Sequence, residues 1–195
     1  MLRSRCVRVA VAIALGLWLA PKADAGTLTE QVRSNIDRVF STLADPGLRC
    51  KPEARRRAIG DITRGLFAWY EMARRTLGRY WLGLPGAERE AFVAALATRV
   101  GASVVGLEHY AGEAIEYTGE SVEGDEASVT TRARGVGGRA VTLEYRFVRV
   151  ANRWLVYDVV LDNASMLGMY RAQFQRVMKT ASYDRLLEMM LSSTN

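Results

Sequence analysis

The chain has 195 residues, 49% of them hydrophobic and 25% charged, with 17 Gly, 4 Pro and 2 Cys. These proportions belong to a globular domain and exclude a disordered chain, a collagen or a disulfide framework. The formal charge of +6 points towards nucleic acid or anionic membranes only if the basic residues stay with the folded part.

Much of the excess sits in the first 25 residues, where Arg3, Arg5 and Arg8 precede the apolar run Val9–Ala20, followed by Pro21 and Ala23-Asp24-Ala25. A basic start, a short apolar core and an A-x-A site make residues 1–25 a signal peptide cleaved after Ala25. The apolar run is 12 residues long, short of the roughly 20 needed to cross a bilayer. Cleavage removes four basic groups and one acidic group, so the net charge falls from +6 to +3. That weakens a nucleic-acid role and leaves too little charge for a polybasic membrane anchor. Residues 26–195 are expected to be one exported domain in the periplasm. Cys6 leaves with the leader, and Cys50 then has no partner for an intrachain disulfide.

Thr27-x-x-Glu30 fits a capping box, and Leu28, Val32, Ile36, Val39, Phe40 and Leu43 recur at helical spacing, predicting a helix over 28–43 that ends at Asp45-Pro46-Gly47. Pro52 suits the first turn of a second helix, whose apolar positions Ile59, Ile62, Leu66, Phe67 and Trp69 continue to Met72 and Leu77, with a break expected near Phe67. After Leu84-Pro85-Gly86 the longest helical stripe carries Phe92, Leu96, Val100, Val104 and Leu107. The period then changes to two, and residues 113–122, 126–135, 139–150 and 154–161 read as four strands.

Alternation selects a register. A loop over Val136–Gly138 groups Ala127, Val129, Thr131 and Ala133 with Phe147, Tyr145, Leu143 and Val141 on one apolar face. Strand 154–161 is apolar at both parities, so both of its faces are expected to be covered. Met166, Leu167, Tyr170, Phe174, Val177 and Met178 make a further helical stripe, and Leu186, Leu187, Met190 and Leu191 a last one. The order of elements predicts an α+β fold: a curved four-stranded antiparallel sheet covered by N-terminal and C-terminal helices.

Little reactive chemistry is available. His109 is the single histidine and reads as solvated or capping beside Glu108, and Cys50 reads as an incidental thiol. No glycine-rich phosphate loop follows a strand, so neither a nucleotide nor a metal cofactor is indicated. Asp158 stands in an otherwise apolar strand, and a buried carboxylate must be bonded or neutralised. It either accepts hydrogen bonds from Arg171, Tyr145 or backbone, or serves as the base of an isomerase-like enzyme with an enclosed sheet. The aromatic and apolar side chains of the sheet and its helices fit a solid core or a cavity equally well.

Met72-Ala-Arg-Arg-Thr-Leu-Gly-Arg-Tyr-Trp81, Glu88-Arg-Glu-Ala-Phe92 and Tyr110-Ala-Gly-Glu-Ala-Ile-Glu-Tyr117 occur in that order, followed by Trp154-Leu-Val-Tyr-Asp-Val159, Ala164-Ser165-Met166 and Tyr170-Arg-Ala-Gln-Phe174. In order and spacing these resemble the MlaC family of periplasmic phospholipid-binding proteins, also called toluene-tolerance auxiliary proteins, which has a hopanoid-associated branch. The resemblance implies a monomeric lipid carrier, not an enzyme. Such a carrier exchanges phospholipid with an inner-membrane MCE-type ABC transporter and with an outer-membrane lipoprotein complex, and so maintains outer-membrane lipid asymmetry. One departure is Asn163, where relatives commonly have Gly; Asn is the next-best residue for a left-handed turn.

Under that resemblance the lipid pocket is expected to have Val129, Leu143, Tyr145 and Phe147 as its floor. Val100, Val104, Leu107 and Tyr110 come from the long helix, and Met166, Tyr170 and Phe174 from the closing one. Val156 and Val159 fall on opposite parities, so at most one of them is expected to contribute.

Overall fold

A computed structural model of the chain describes residues 25–105, 115–134 and 138–192. Helix α1 (Ala25–Ala44) is longer than the periodicity predicts, and Thr27 lies inside it rather than at its cap. The breaker after it winds into a single-turn helix, α2 (Pro46–Arg49), because the Asp45 carboxylate accepts the Gly47 N–H at 2.8 Å. Helix α3 (Pro52–Arg64) and helix α4 (Trp69–Leu77) are separated where the sequence suggests a break. The reason is tertiary: Leu66–Ala68 run extended beside a strand, with the Ala68 N–H donating to Val156 O at 2.8 Å and the Val156 N–H donating to Leu66 O at 2.9 Å. Gly78, at φ 56°, turns the chain out of α4 into a 3₁₀ segment over Gly78–Gly83, and α5 (Gly86–Val105) follows.

The sheet contains β1 (Ile115–Glu123), β2 (Glu126–Arg134), β3 (Ala140–Val150), β4 (Arg153–Leu161) and β5 (Ala164–Ser165), antiparallel and paired in chain order. The register predicted for β2 and β3 is the one observed, with Ala127 opposite Phe147, Val129 opposite Tyr145, Thr131 opposite Leu143 and Ala133 opposite Val141. Five strands replace the four expected. Asp162 and Asn163, at φ 44° and 70°, form a two-residue left-handed turn that folds Ala164–Ser165 back onto β4. Asn163 takes the left-handed conformation expected of it. A pair too short to show alternation carries no period-two signal, which is why the fifth strand escaped the sequence.

The last two helices, α6 (Met166–Thr180) and α7 (Tyr183–Ser192), close the chain. The apolar side chains form two cores on opposite faces of the sheet. On one face Leu28 and Val32 of α1 pack on Ala127, Val129, Phe147 and Val156. On the other, Met72, Leu77, Trp81, Phe92, Leu96, Val100, Phe174, Leu186 and Met190 bring α4 to α7 together against Tyr157 of β4. The expectation that the last long strand is covered on both faces holds for that reason.

One charged chain ties α4 to the sheet. Glu71 accepts from Arg74 at 2.7 Å and from Arg75 at 2.6 Å, while Arg75 reaches Glu126 at 2.9 Å and lies 4.0 Å over the Tyr157 ring. The Arg74 hydrogen bond, and after it Arg75, hold the Glu71 carboxyl at about 2, below its ordinary 4.5, against the opposing effect of burial. A carboxylate depressed in the folded state stabilises above its unfolded value and loses that contribution as the pH falls. With solvent screening discounted, Glu71→Gln should cost about 1 kcal/mol at pH 7. In urea titrations the gap between variant and wild type should close as the pH drops from 4.5 towards 2; a gap independent of pH would refute the assignment.

Candidate functional site

Between α1, the end of α3 and the sheet lies a cavity of about 130 Å³. Leu143, Tyr145 and Phe147 of β3 and Val156 and Val159 of β4 form its floor. Val32, Asn35, Ile36, Val39 and Phe40 of α1 form one wall, and Thr63, Leu66, Phe67 and Val104 the other. The polar groups among these are few. The buried Thr63 hydroxyl donates to Ile59 O at 2.9 Å within its own helix. Burial pushes the Tyr145 hydroxyl up to about 12, with the nearby Thr131 side chain opposing the shift. The phenol therefore stays neutral, and the floor carries no charge.

Of the residues predicted for the pocket, Val104, Leu143, Tyr145, Phe147, Val156 and Val159 surround this cavity. Both valines of β4 face it, contrary to the parity expectation. The pairs Phe147–Val156 and Arg146–Asp158 flank a β-bulge that leaves Tyr157 as an extra residue. One added residue resets the alternation, so Val156 and Val159 share a face while Tyr157 and Asp158 turn to the other. Val129 is buried beneath α1 and does not reach the cavity. Val100, Met166, Tyr170 and Phe174 belong to the helical core on the opposite face. Leu107 and Tyr110 lie outside the described residues. The α1 wall and Leu66–Phe67 were missed as site residues. Their apolar stripe was visible, but a stripe at helical spacing cannot tell a packed contact from a cavity wall.

Helix α1 is fastened to the sheet at one end. The Thr29 N–H donates to Glu120 Oε2 at 2.9 Å and its hydroxyl donates to the same oxygen. Gln31 Nε2 donates to Trp154 O at 3.0 Å, and the Arg33 guanidinium sits 4.3 Å over the Tyr117 ring. From Asn35 onward, where the helix borders the cavity, no polar bond joins it to the sheet among the described residues.

The family model described as MlaC protein matches residues 33–192. The chain belongs to the MlaC family. A phospholipid-binding protein from Ralstonia solanacearum, solved in complex with a phospholipid, has a similar fold. It superposes with a TM-score of 0.74 at 18% identity, over 85% of this chain and 95% of that one. No curated protein matches this chain in sequence.

In this MlaC chain Asp158, 2% exposed, points away from the cavity. Its carboxylate accepts the Leu167 N–H at 2.9 Å and the Ser165 hydroxyl at 2.7 Å, with an Arg146 guanidinium nitrogen at 3.7 Å. Ser165 itself accepts the Gly168 N–H at 2.8 Å as the cap of α6. Backbone is thus a partner, as the sequence allows, but Arg171 and Tyr145 are not. Asp158 fixes the start of α6 through two of its otherwise unbonded amide and hydroxyl donors. Asp158→Ala should cost about 3 kcal/mol by leaving those donors without an acceptor, whereas Ser165→Ala should cost about 1 kcal/mol. Thermal or urea unfolding of both checks this; a Asp158→Ala protein as stable as wild type would refute it.

Proposed function

We propose that this protein is a periplasmic lipid carrier that holds phospholipid acyl chains in the cavity between α1 and the sheet. The observation that carries the reading is the cavity itself: an uncharged apolar space bordered by fourteen residues, in a chain of the MlaC family. The phospholipid held by the Ralstonia protein of the same fold supports it. So does the predicted leader peptide, and no helix among the described residues is long and apolar enough to cross a membrane.

Hiding each methylene from water is worth about 0.8 kcal/mol, so one long acyl chain amounts to roughly 10 kcal/mol and crosses an aqueous gap very slowly unaided. A carrier removes that barrier by offering an apolar surface of comparable quality. A cavity of about 130 Å³ matches the scale of the ~150 Å³ that admits a benzene ring, so full chains enter as α1 lifts. Its free half, from Asn35 to Phe40, is the part that moves, while the Glu120 and Trp154 bonds hold the other end. The carrier exchanges lipid between an inner-membrane MCE-type ABC transporter and an outer-membrane lipoprotein complex, and its turnover maintains outer-membrane lipid asymmetry. Those partners set the net direction, since binding at near balance with the bilayer has none of its own.

Native mass spectrometry of the purified protein should show an added lipid mass. Leu143→Trp and Val104→Trp each put an indole into the cavity, and the overpacking of about 1–3 kcal/mol falls on the bound form, lowering occupancy by roughly tenfold or more. Protein free of lipid, or unchanged occupancy in both folded variants, would overturn the reading. Asp158→Asn should leave the lipid in place.

A further inference from the structure

Two of the three polar side chains bordering the cavity, Thr63 and Tyr145, have a polar neighbour within the fold. Thr63 bonds its own helix at Ile59 O and Gly60 O, and Tyr145 is buried with Thr131 near its hydroxyl. Asn35 is the exception: half-buried in the α1 wall, it forms no hydrogen bond with any described residue. Its position is not at the margin of the apolar stripe. Val32 lies one turn before it and Val39 one turn after it, both bordering the same cavity, with Ile36 beside it. Asparagine is also a poor residue for a helix interior, because its amide competes with the backbone. A side chain that weakens the helix, interrupts an apolar wall and bonds nothing else in the fold leaves its amide open to water or to a guest in the cavity.

We propose that Asn35 is the polar anchor of the cavity, its amide N–H donating to the ester carbonyl where an acyl chain of the bound lipid joins the head. The inference rests on the carrier reading above. An acyl lipid is apolar along its chains and turns polar at the ester, so a wall that is apolar except for one unbonded amide matches that sequence of groups. The anchor sets how deep the chains run and favours ester-linked lipids over lipids or hydrocarbons lacking that carbonyl.

The test compares two fluorescent probes, a diacyl phospholipid with pyrene on one chain and its dialkyl ether analogue, which differs in having no ester carbonyls. Wild type should bind the diester roughly five- to tenfold more tightly than the diether, the factor expected for one hydrogen bond. Asn35→Leu and Asn35→Ala should bring the diester-to-diether affinity ratio close to one, whatever either change does to apolar binding in general; alanine favours the helix, so that variant keeps the fold. Variants that retain the diester preference, or that lose both probes equally, would overturn the anchor. Wild type binding neither probe would instead overturn the carrier reading, and the anchor with it.

Discussion

The architecture depends on one extra residue in β4. The bulge at Tyr157 lets a single strand present Val156 and Val159 to the cavity while turning Tyr157 and Asp158 to the helical side. Without it, one valine would leave the cavity floor, and the carboxylate would be forced towards apolar side chains. With it, Asp158 meets the start of α6. A buried carboxylate is tolerable only where donors converge on it, and a helix start held by a serine cap supplies them. The same strand accepts Leu66–Ala68 on its other edge at Val156, which brings Phe67 to the cavity wall. Cavity, helix anchor and α3–α4 break are therefore consequences of the same few residues.

The two faces of the sheet are used differently. The helical side is packed solid: Phe92, Leu96, Val100 and Phe174 are fully buried, and the Phe92 and Phe174 rings meet edge to face at 5.6 Å. The α1 side is covered by α1, which is bonded to the sheet at one end and rests on apolar side chains elsewhere, with the end of α3, Leu66–Phe67 and Val104 of α5 beside it. A helix is about 10 Å wide, and α1 and the end of α3 together do not fill the space over β3 and β4; the remainder is the cavity. Dispersion contacts between α1 and the floor are individually weak and easily exchanged for contacts with a hydrocarbon guest, whereas the α4–α7 core has no comparable alternative.

Alternation in residues 126–150 was enough to fix the pairing of β2 with β3, because a slip by one residue would have placed Arg132 and Arg134 among the apolar side chains. The helices were readable from the 3.6-residue stripe, and the left-handed turn at Asn163 from its residue type. What misled the sequence reading was parity in β4. The alternation rule presumes a regular strand, and a bulge has no residue signature in Trp154–Leu161. Val100, Met166, Tyr170 and Phe174 lie in the helical core rather than at this cavity for a related reason. Their stripes are genuine, but nothing local states which face of the sheet a helix covers.

By itself the sequence determined the class of fold, the hairpin register and the apolar character of the interior, since each of these follows from residue type and spacing, while the family came from its resemblance to MlaC proteins. Tertiary structure alone decided which apolar residues border space and which touch one another. That distinction depends on the fit between surfaces far apart in the chain: α1 against β3 and β4, and Leu66–Ala68 against Val156. Residue type and spacing are the same for both outcomes, so only the three-dimensional fit of α1, the end of α3 and the sheet separates a cavity from a core.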